Sequence, residues 1–344
     1  MMPPEAAEPA LHVLTTDDVG AVLAVLDPVA VVRDTLAAHA RGDTTLPDEA
    51  YLPWHTRSGA FARSLALPGA VWGERPAVGL KVINSSLENP ERGMPRAQGL
   101  TLLFDAETAR PVAMMPAAAI SATRTAAYTA LSVRLLAVPE VRRIAVLGCG
   151  ALARTHVDLL RAECPQAEFV VHDLVPERAA ALADEVGATT AAVARGAVEG
   201  AEVVVCTTTV TEGYIGLDWL APGALVAHVS LDDLLPEAVT GADLLVVDDW
   251  DLVAADDRRI LGRMWRRGEV VGPAGERRDP DHTGGRAVDA AMADVVAGTR
   301  PGRAAPGDRI VSNPFGMGVL DVALAAEVLD GALAEDRGTP LTIF

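Results

Sequence analysis

Apolar and polar positions recur along this chain with two different periods, and the changes between them mark its organisation. Residues 16–42 read as two short helices: Thr16 stands before two aspartates as a helix start, and VAVVRDTLAAHARG carries an apolar face and stops at Gly42. From Tyr51 the period shortens. ARSLALPG, AVGLKVINSS and GLTLLFD read as strands, and RPVAMMP follows the last of them across the turn-like AETA, which predicts a mostly antiparallel sheet. Residues 118–136 return to helical periodicity and lead away from that sheet.

At Arg143 the texture changes again. RIAVLGCG reads as a buried strand ending in glycine. A helix follows, then EFVVHD, a second helix through RAAALADEVG, and the apolar runs AEVVVCTTT, ALVAHVS and DLLVVDD. Strands alternating with helices at this spacing predict a parallel, doubly wound Rossmann sheet. RRGEVVGPAGERRDPDHTGGR is polar and glycine-rich and reads as a surface loop. The tail VLDVALAAEVLDGALA, residues 319–334, reads as an amphipathic helix returning to the first domain. The expected fold class is therefore α/β: a Rossmann domain over 129–315, and a discontinuous α+β domain made of 1–128 and 316–344.

Composition excludes several partners. The chain has 344 residues, half of them hydrophobic, and a net charge of −18. A surface that negative repels nucleic acid and anionic lipid, while a local arginine cluster can still hold a small carboxylate. The start, MMPPEAAEPALHV, has no basic region ahead of an apolar run, and the apolar stretch from Pro111 to Val133 is broken by Arg124 and rich in Thr and Ser, so neither a leader nor a membrane span is expected. Three cysteines (Cys149, Cys164, Cys206) lack metal-type spacing, which points to no metal and to a reducing cytoplasm.

The run IAVLGCGALART contains G-x-G-x-x-A. Gly148 permits a tight turn, Gly150 lets the backbone approach a pyrophosphate, and the small Ala153 lets helix and strand pack closely. The helix start, Ala151, Leu152 and Ala153, offers free N–H groups to phosphates. Asp173, at the end of the next strand, would accept hydrogen bonds from the adenosine ribose and favour NAD over NADP; the bland alternative is a strand-end aspartate that caps the next helix. Thr207 and Thr208, at the end of AEVVVCTTT, complete the candidate cofactor contacts, with Gly318 of the SNPFGMG turn suited to close approach to a nicotinamide.

Of 29 basic residues, 28 are arginine and one is Lys81, set in an apolar strand. A chain that uses arginine elsewhere keeps here the compact cation whose pKa falls on burial, which suits proton transfer; chance survival or a snorkelling edge residue is the alternative. Arg63 and Arg124 sit beside small, apolar stretches and could each grip a carboxylate through two hydrogen bonds, with Arg96 as a third possibility and structural ion pairing as the alternative. Asp232 and Asp233 follow a strand's C-terminal end, where one could serve as general base or as a helix cap. His228, inside the strand, reads as packed.

With these residues in view, the chain resembles the ornithine cyclodeaminase/μ-crystallin family over nearly its whole length, through ARSLALPG, GLKVINSS, ERGMPRAQGLTLLFDAETARPVAMM, ISATRTAA, VLGCGALARTH, the Asp232 region, VVDDWD and NPFGMGVLDVA. The resemblance implies a homodimer built on the discontinuous domain, which binds substrate, and an NAD-binding Rossmann domain. It places Arg63, Lys81 and Arg124 at carboxylate-binding and catalytic positions and Asp232 at the catalytic aspartate. It also implies oxidation of the α C–N bond of a small amino acid to an imine, followed by deamination or amine release. MPRAQG and VSLDDLLPE are similar to the branch that releases 2,3-diaminopropionate from an N-substituted glutamate, rather than to the G-x-D-x-P-G-K element of cyclodeaminases. Imine reduction, amino-acid dehydrogenation and dinucleotide-dependent ligand binding without turnover, as in μ-crystallin, stand as alternatives.

Overall fold

A computed structural model of the chain describes residues 10–343. The reading of the acidic start as carrying no leader falls mainly on residues 1–9, which lie outside the described residues. The chain divides into two compact units, one running to Arg124 and resuming at Met317, the other comprising Thr125–Gly316.

The first unit contains β1 (Leu11–Val13), α1 (Thr16–Leu23), α2 (Pro28–Ala40), β2 (Thr44–Thr45), β3 (Ala50–His55), β4 (Phe61–Val71), β5 (Ala77–Ser86), β6 (Ala97–Phe104), β7 (Pro111–Pro116) and the first turns of α3 (Ala117–Leu136). The second contains β8 (Arg143–Leu147), α4 (Ala151–Glu163), β9 (Glu168–His172), α5 (Pro176–Val186), β10 (Thr189–Thr190), α6 (Ala194–Val198), β11 (Val203–Cys206), β12 (Leu225–His228), α7 (Pro236–Thr240) and β13 (Leu244–Val247). It continues through α8 (Trp250–Ala255), α9 (Ile260–Arg266), β14 (Val270–Val271), β15 (Arg286–Ala287), β16 (Ala290–Ala291), α10 (Met292–Val296) and β17 (Ile310–Asn313); α11 (Gly318–Ala334) and β18 (Thr339–Leu341) then return to the first unit.

Local signals explain the first helices. α1 starts one residue earlier than the sequence implied: Thr15 caps it, accepting from the Asp18 N–H while the Asp18 carboxylate accepts from the Thr15 N–H. Asp27 caps α2 ahead of Pro28, whose missing N–H costs nothing in a first turn.

The sheet of this unit runs β18-β1-β7-β6-β5-β4-β2, with β3 also on β4. All its pairs are antiparallel except β1 with β7. Register puts Leu67 opposite Lys81 and Lys81 opposite Thr101, so these side chains share one face. α11 covers that face. The sequence reading of α11 as amphipathic is corrected here: every residue from Gly318 to Ala325 is buried, because the helix lies between the sheet and α1 and α2. Glycines let it come close. Gly69 and Gly79 stand opposite each other on β4 and β5, and a Cβ on Gly69 would lie 2.9 Å from Val319 Cγ1 and 3.0 Å from its backbone nitrogen.

The second unit's sheet runs β10-β9-β8-β11-β12-β17-β13-β16, parallel throughout. Strand order reverses between β8 and β11, so the glycine-rich turn after β8 sits at the switch point where doubly wound sheets hold ligands. Among the described residues, no helix is long and apolar enough to cross a membrane.

The close approach at Gly69 makes a direct test. Gly69→Ala should destabilise the protein by about 1–3 kcal/mol through overpacking against Val319. Gly196→Ala, whose new Cβ would meet its nearest neighbour at 3.7 Å, should leave the melting temperature unchanged or raise it. Thermal melts of the two variants check this; a Gly69→Ala protein melting like the wild type would refute the packing.

Candidate functional site

In the first unit, Lys81 projects from β5 into a nearly dry environment. Its Nζ donates to Asp321 Oδ2 at 2.7 Å and to Ser121 Oγ at 3.2 Å. Arg124, one turn after Ser121 on α3, places Nε 3.1 Å from the same Asp321 oxygen. One carboxylate thus faces two cations, all three buried. Burial, and secondarily the charge of Arg124, outweigh the attraction of Asp321 and draw the Lys81 pKa down to about 8. Arg124 Nε, Asp321 Oδ1 and the Thr101 hydroxyl, across from Lys81 on β6, are buried without a hydrogen-bond partner. Arg63, farther along the same face of β4, donates to Ser85 Oγ at 3.3 Å. Of the sequence-selected residues, Lys81 and Arg124 therefore meet directly. Asp321, which joins them, was not singled out; a lone acid in the apolar run VLDVALAA was its signal.

In the second unit, the glycine turn separates what the protein demands from what it leaves open. Gly148 has φ +85°, and a Cβ there would lie 2.9 Å from the Thr207 carbonyl. Only glycine fits. Thr207 closes the turn by donating to the Leu147 and Gly148 carbonyls at 3.0 and 2.9 Å. Gly150 is different: its backbone is extended and a Cβ would meet nothing within 4 Å. It precedes α4 with no side-chain cap, so the first N–H groups of a 13-residue helix, at Ala151 and Leu152, face outward. Ala153 is fully buried against the sheet. A bare helix start beside an unobstructed glycine fits a pyrophosphate. Asp173 is not a helix cap in the ordinary sense, since Val175 occupies that position. Its carboxylate accepts from the Cys149 N–H and the Val175 N–H, both at 2.8 Å, which ties it to the glycine turn.

The two neighbouring aspartates have different surroundings. Asp233 Oδ1 accepts from the Thr208 hydroxyl at 2.7 Å and the Tyr214 hydroxyl at 3.0 Å, and Oδ2 accepts from the Ser230 hydroxyl. The His228 ring lies 3.6 Å away; its Nε2 accepts the Asp233 N–H at 3.1 Å, and its Nδ1 faces Asn313 Nδ2. Burial alone would raise the Asp233 carboxyl, but the His228, Ser230 and Thr208 contacts win and hold it below the ordinary value. Asp233 is thus an anchor for the turn, with His228 packed beneath it and Thr208 engaged as its donor. Asp232, also buried, accepts from the guanidinium of Arg263 on α9.

Gly318 begins α11, where a Cβ would lie 3.1 Å from the Leu67 side chain and backbone; helix packing accounts for this glycine. The turn before it is pinned by buried Asp248, which accepts from the Phe315 and Gly316 N–H groups at 2.8 and 2.6 Å. Burial raises the Asp248 carboxyl despite those donors. Among the described residues, no cluster of His, Cys, Asp or Glu could hold a metal ion.

Comparisons with known proteins agree on one group. The model of the ornithine cyclodeaminase/mu-crystallin family matches residues 10–336. N-((2S)-2-amino-2-carboxyethyl)-L-glutamate dehydrogenase of Staphylococcus aureus is 30% identical over 326 residues, covering 92% of this chain and 93% of that protein. Among solved structures, that of CmnK superposes with TM-score 0.89 at 42% identity over 98% of this chain and 99% of that one. An archaeal alanine dehydrogenase dimer with bound NAD superposes with TM-score 0.82 at 22% identity, covering 97% and 99%.

The unequal aspartates lead to an expected difference in stability. Asp233→Asn should cost about 2 kcal/mol by weakening hydrogen bonds to a charged acceptor. Asp232→Asn should change stability by less, its partner Arg263 being partly exposed. Equal melting temperatures for the two variants would overturn the assignment of Asp233 as the anchor.

Proposed function

The chain belongs to the ornithine cyclodeaminase/mu-crystallin family, and we propose that it is an NAD-dependent oxidoreductase that opens the α C–N bond of an N-substituted glutamate, releasing 2,3-diaminopropionate. The observation that carries this reading is the buried Lys81 cluster, a titratable cation among guanidiniums with polar atoms left unpartnered. The similarity to the staphylococcal dehydrogenase supports the substrate class.

Gly148, Gly150 and the start of α4 would hold NAD, with Asp173 toward its ribose, and the bound cofactor would supply a hydride acceptor for the substrate Cα. Arg63, Lys81 and Arg124 hold the α-carboxylate and orient that carbon. Loss of hydride from a neutral secondary amine would leave an iminium on the substrate. Asp232, held by Arg263, is the proposed base for the water that adds to the iminium carbon. As the adduct's C–N bond breaks and its hydroxyl becomes the keto acid's carbonyl, the Lys81 ammonium would protonate the departing nitrogen and take back the hydroxyl proton. One substrate, one NAD and one water thus become a keto acid, a primary ammonium and NADH. The carboxylate contact and the proton delivery both use protonated Lys81, so activity should fall as pH rises through about 8.

A second copy of this chain is the proposed partner. The face of β3–β6 opposite α11 carries Leu52, Trp54 and Leu100 at 63, 42 and 45% exposure, an apolar patch that suits an isologous interface. A cytoplasmic location is supported by three free cysteines among the described residues.

Two measurements test these readings. Purified protein with NAD and N-((2S)-2-amino-2-carboxyethyl)-L-glutamate should produce NADH and 2,3-diaminopropionate in equal amounts, with NADP a poor substitute because Asp173 would face its 2′-phosphate. Lys81→Arg should reduce turnover by about 100-fold or more, abolish the pH dependence near 8 and leave NAD affinity unchanged. An absence of NADH with this substrate would refute the activity. Light scattering should give a mass near twice 35.8 kDa; a stable monomer at micromolar concentration would refute the dimer.

A further inference from the structure

Charge in the first unit is unevenly compensated. Lys81 and Arg124 share Asp321, and Glu49 adds a carboxylate within electrostatic reach of Lys81. Arg63 and Arg96 have no such partner: among the described residues neither guanidinium makes an ion pair, and the one side-chain hydrogen bond of the two is from Arg63 to Ser85. They are near enough to repel. Desolvation first, and the charge of Arg63 second, hold Arg96 below the ordinary arginine value although it keeps solvent access.

The backbone places this pair deliberately. Register aligns Arg63, Ser85 and Ala97 across β4, β5 and β6, and Arg96 occupies the bend just before β6. Asn89 holds that bend, donating from Nδ2 to the Pro95 and Arg96 carbonyls at 3.2 and 3.5 Å. The Ser86 N–H donates to the Arg96 carbonyl at 3.1 Å, and the Ser86 hydroxyl is buried without a partner. Two adjacent guanidiniums with no anion destabilise the free protein, and a protein that keeps such an arrangement gains from it when an anion arrives.

We propose that Arg96, set beside the Arg63 that grips the α-carboxylate, forms a second carboxylate site, which selects substrates bearing a side-chain carboxylate besides the α-carboxylate. The proposal rests on the reading of the protein as an oxidoreductase for N-substituted glutamates and names the residue that would read the glutamate side chain. A planar guanidinium suits this task because it pairs with a carboxylate through two parallel hydrogen bonds, and a site built for that charge rejects the neutral isostere.

The probes are L-glutamate and its uncharged isostere L-glutamine, titrated by calorimetry into NADH-saturated protein so that no turnover occurs. Wild-type protein should prefer glutamate by about tenfold or more. Arg96→Gln should lose that preference while binding glutamine as before, and its ligand-free form should melt at the same temperature as the wild type or higher, because a repulsion is removed. Arg96→Lys should keep part of the preference. Equal wild-type affinities, a preference that survives Arg96→Gln, or a marked drop in melting temperature in that variant would each overturn the second site. If Arg96→Gln oxidises the N-substituted glutamate with unchanged KM, the site falls and the activity stands; if neither amino acid binds and no NADH forms, both fall.

Discussion

The contact between Lys81 and Asp321 governs the first unit. An ammonium removed from water costs several kcal/mol unless a carboxylate meets it at hydrogen-bonding distance. The sheet must therefore receive the acid of α11 at one register, and the close-packed glycines at 69, 79 and 318 are what that approach requires. Because Arg124 shares the same carboxylate, the local balance is one anion against two cations. The excess positive charge, with polar atoms unpartnered around it, is what a substrate carboxylate would neutralise. Stability and the proposed binding thus draw on the same three side chains, and the ion pair that secures the helix raises the lysine's pKa against the larger drop imposed by burial.

Much of this architecture was legible because its signals are local. Alternation along ARSLALPG and AVGLKVINSS specifies strands whatever lies beyond them, and the glycine spacing after β8 specifies a turn within a few residues. Lys81 was legible by composition, as the one lysine among arginines. Asp321 was not, because its role depends on a residue 240 positions away. The burial of α11 was misread for a related reason: periodicity reports one covered face, and this helix is covered by a sheet on one side and helices on the other. The choice between Asp232 and Asp233 was ambiguous for a third reason. Both follow the same strand, and only hydroxyls brought in from Thr208, Tyr214 and Ser230 distinguish the anchor from its neighbour.

The two fingerprint glycines illustrate how a structure separates internal from external demands. Gly148 is explained by the protein itself, through a left-handed backbone and the Thr207 carbonyl at its side. At Gly150 no neighbour within 4 Å forbids a side chain, which suits the proposed approach of a pyrophosphate from outside. The same contrast assigns Gly318 to packing, its missing Cβ lying against Leu67.

The position of α11 in the sequence has a consequence for synthesis. Every strand of the sheet except β18 has been made once β7 is complete, yet its inner face and Lys81 stay uncovered until residues beyond Met317 leave the ribosome, about 200 positions later. At about 5–20 residues per second that interval lasts on the order of ten seconds or more. During it the parallel sheet of the second unit can form, while the first unit waits with an apolar face and an unpaired ammonium. A nascent chain truncated before Gly318 would thus carry a finished second unit attached to a sheet that lacks the α11 half of its core, and such a fragment is a natural client for chaperones.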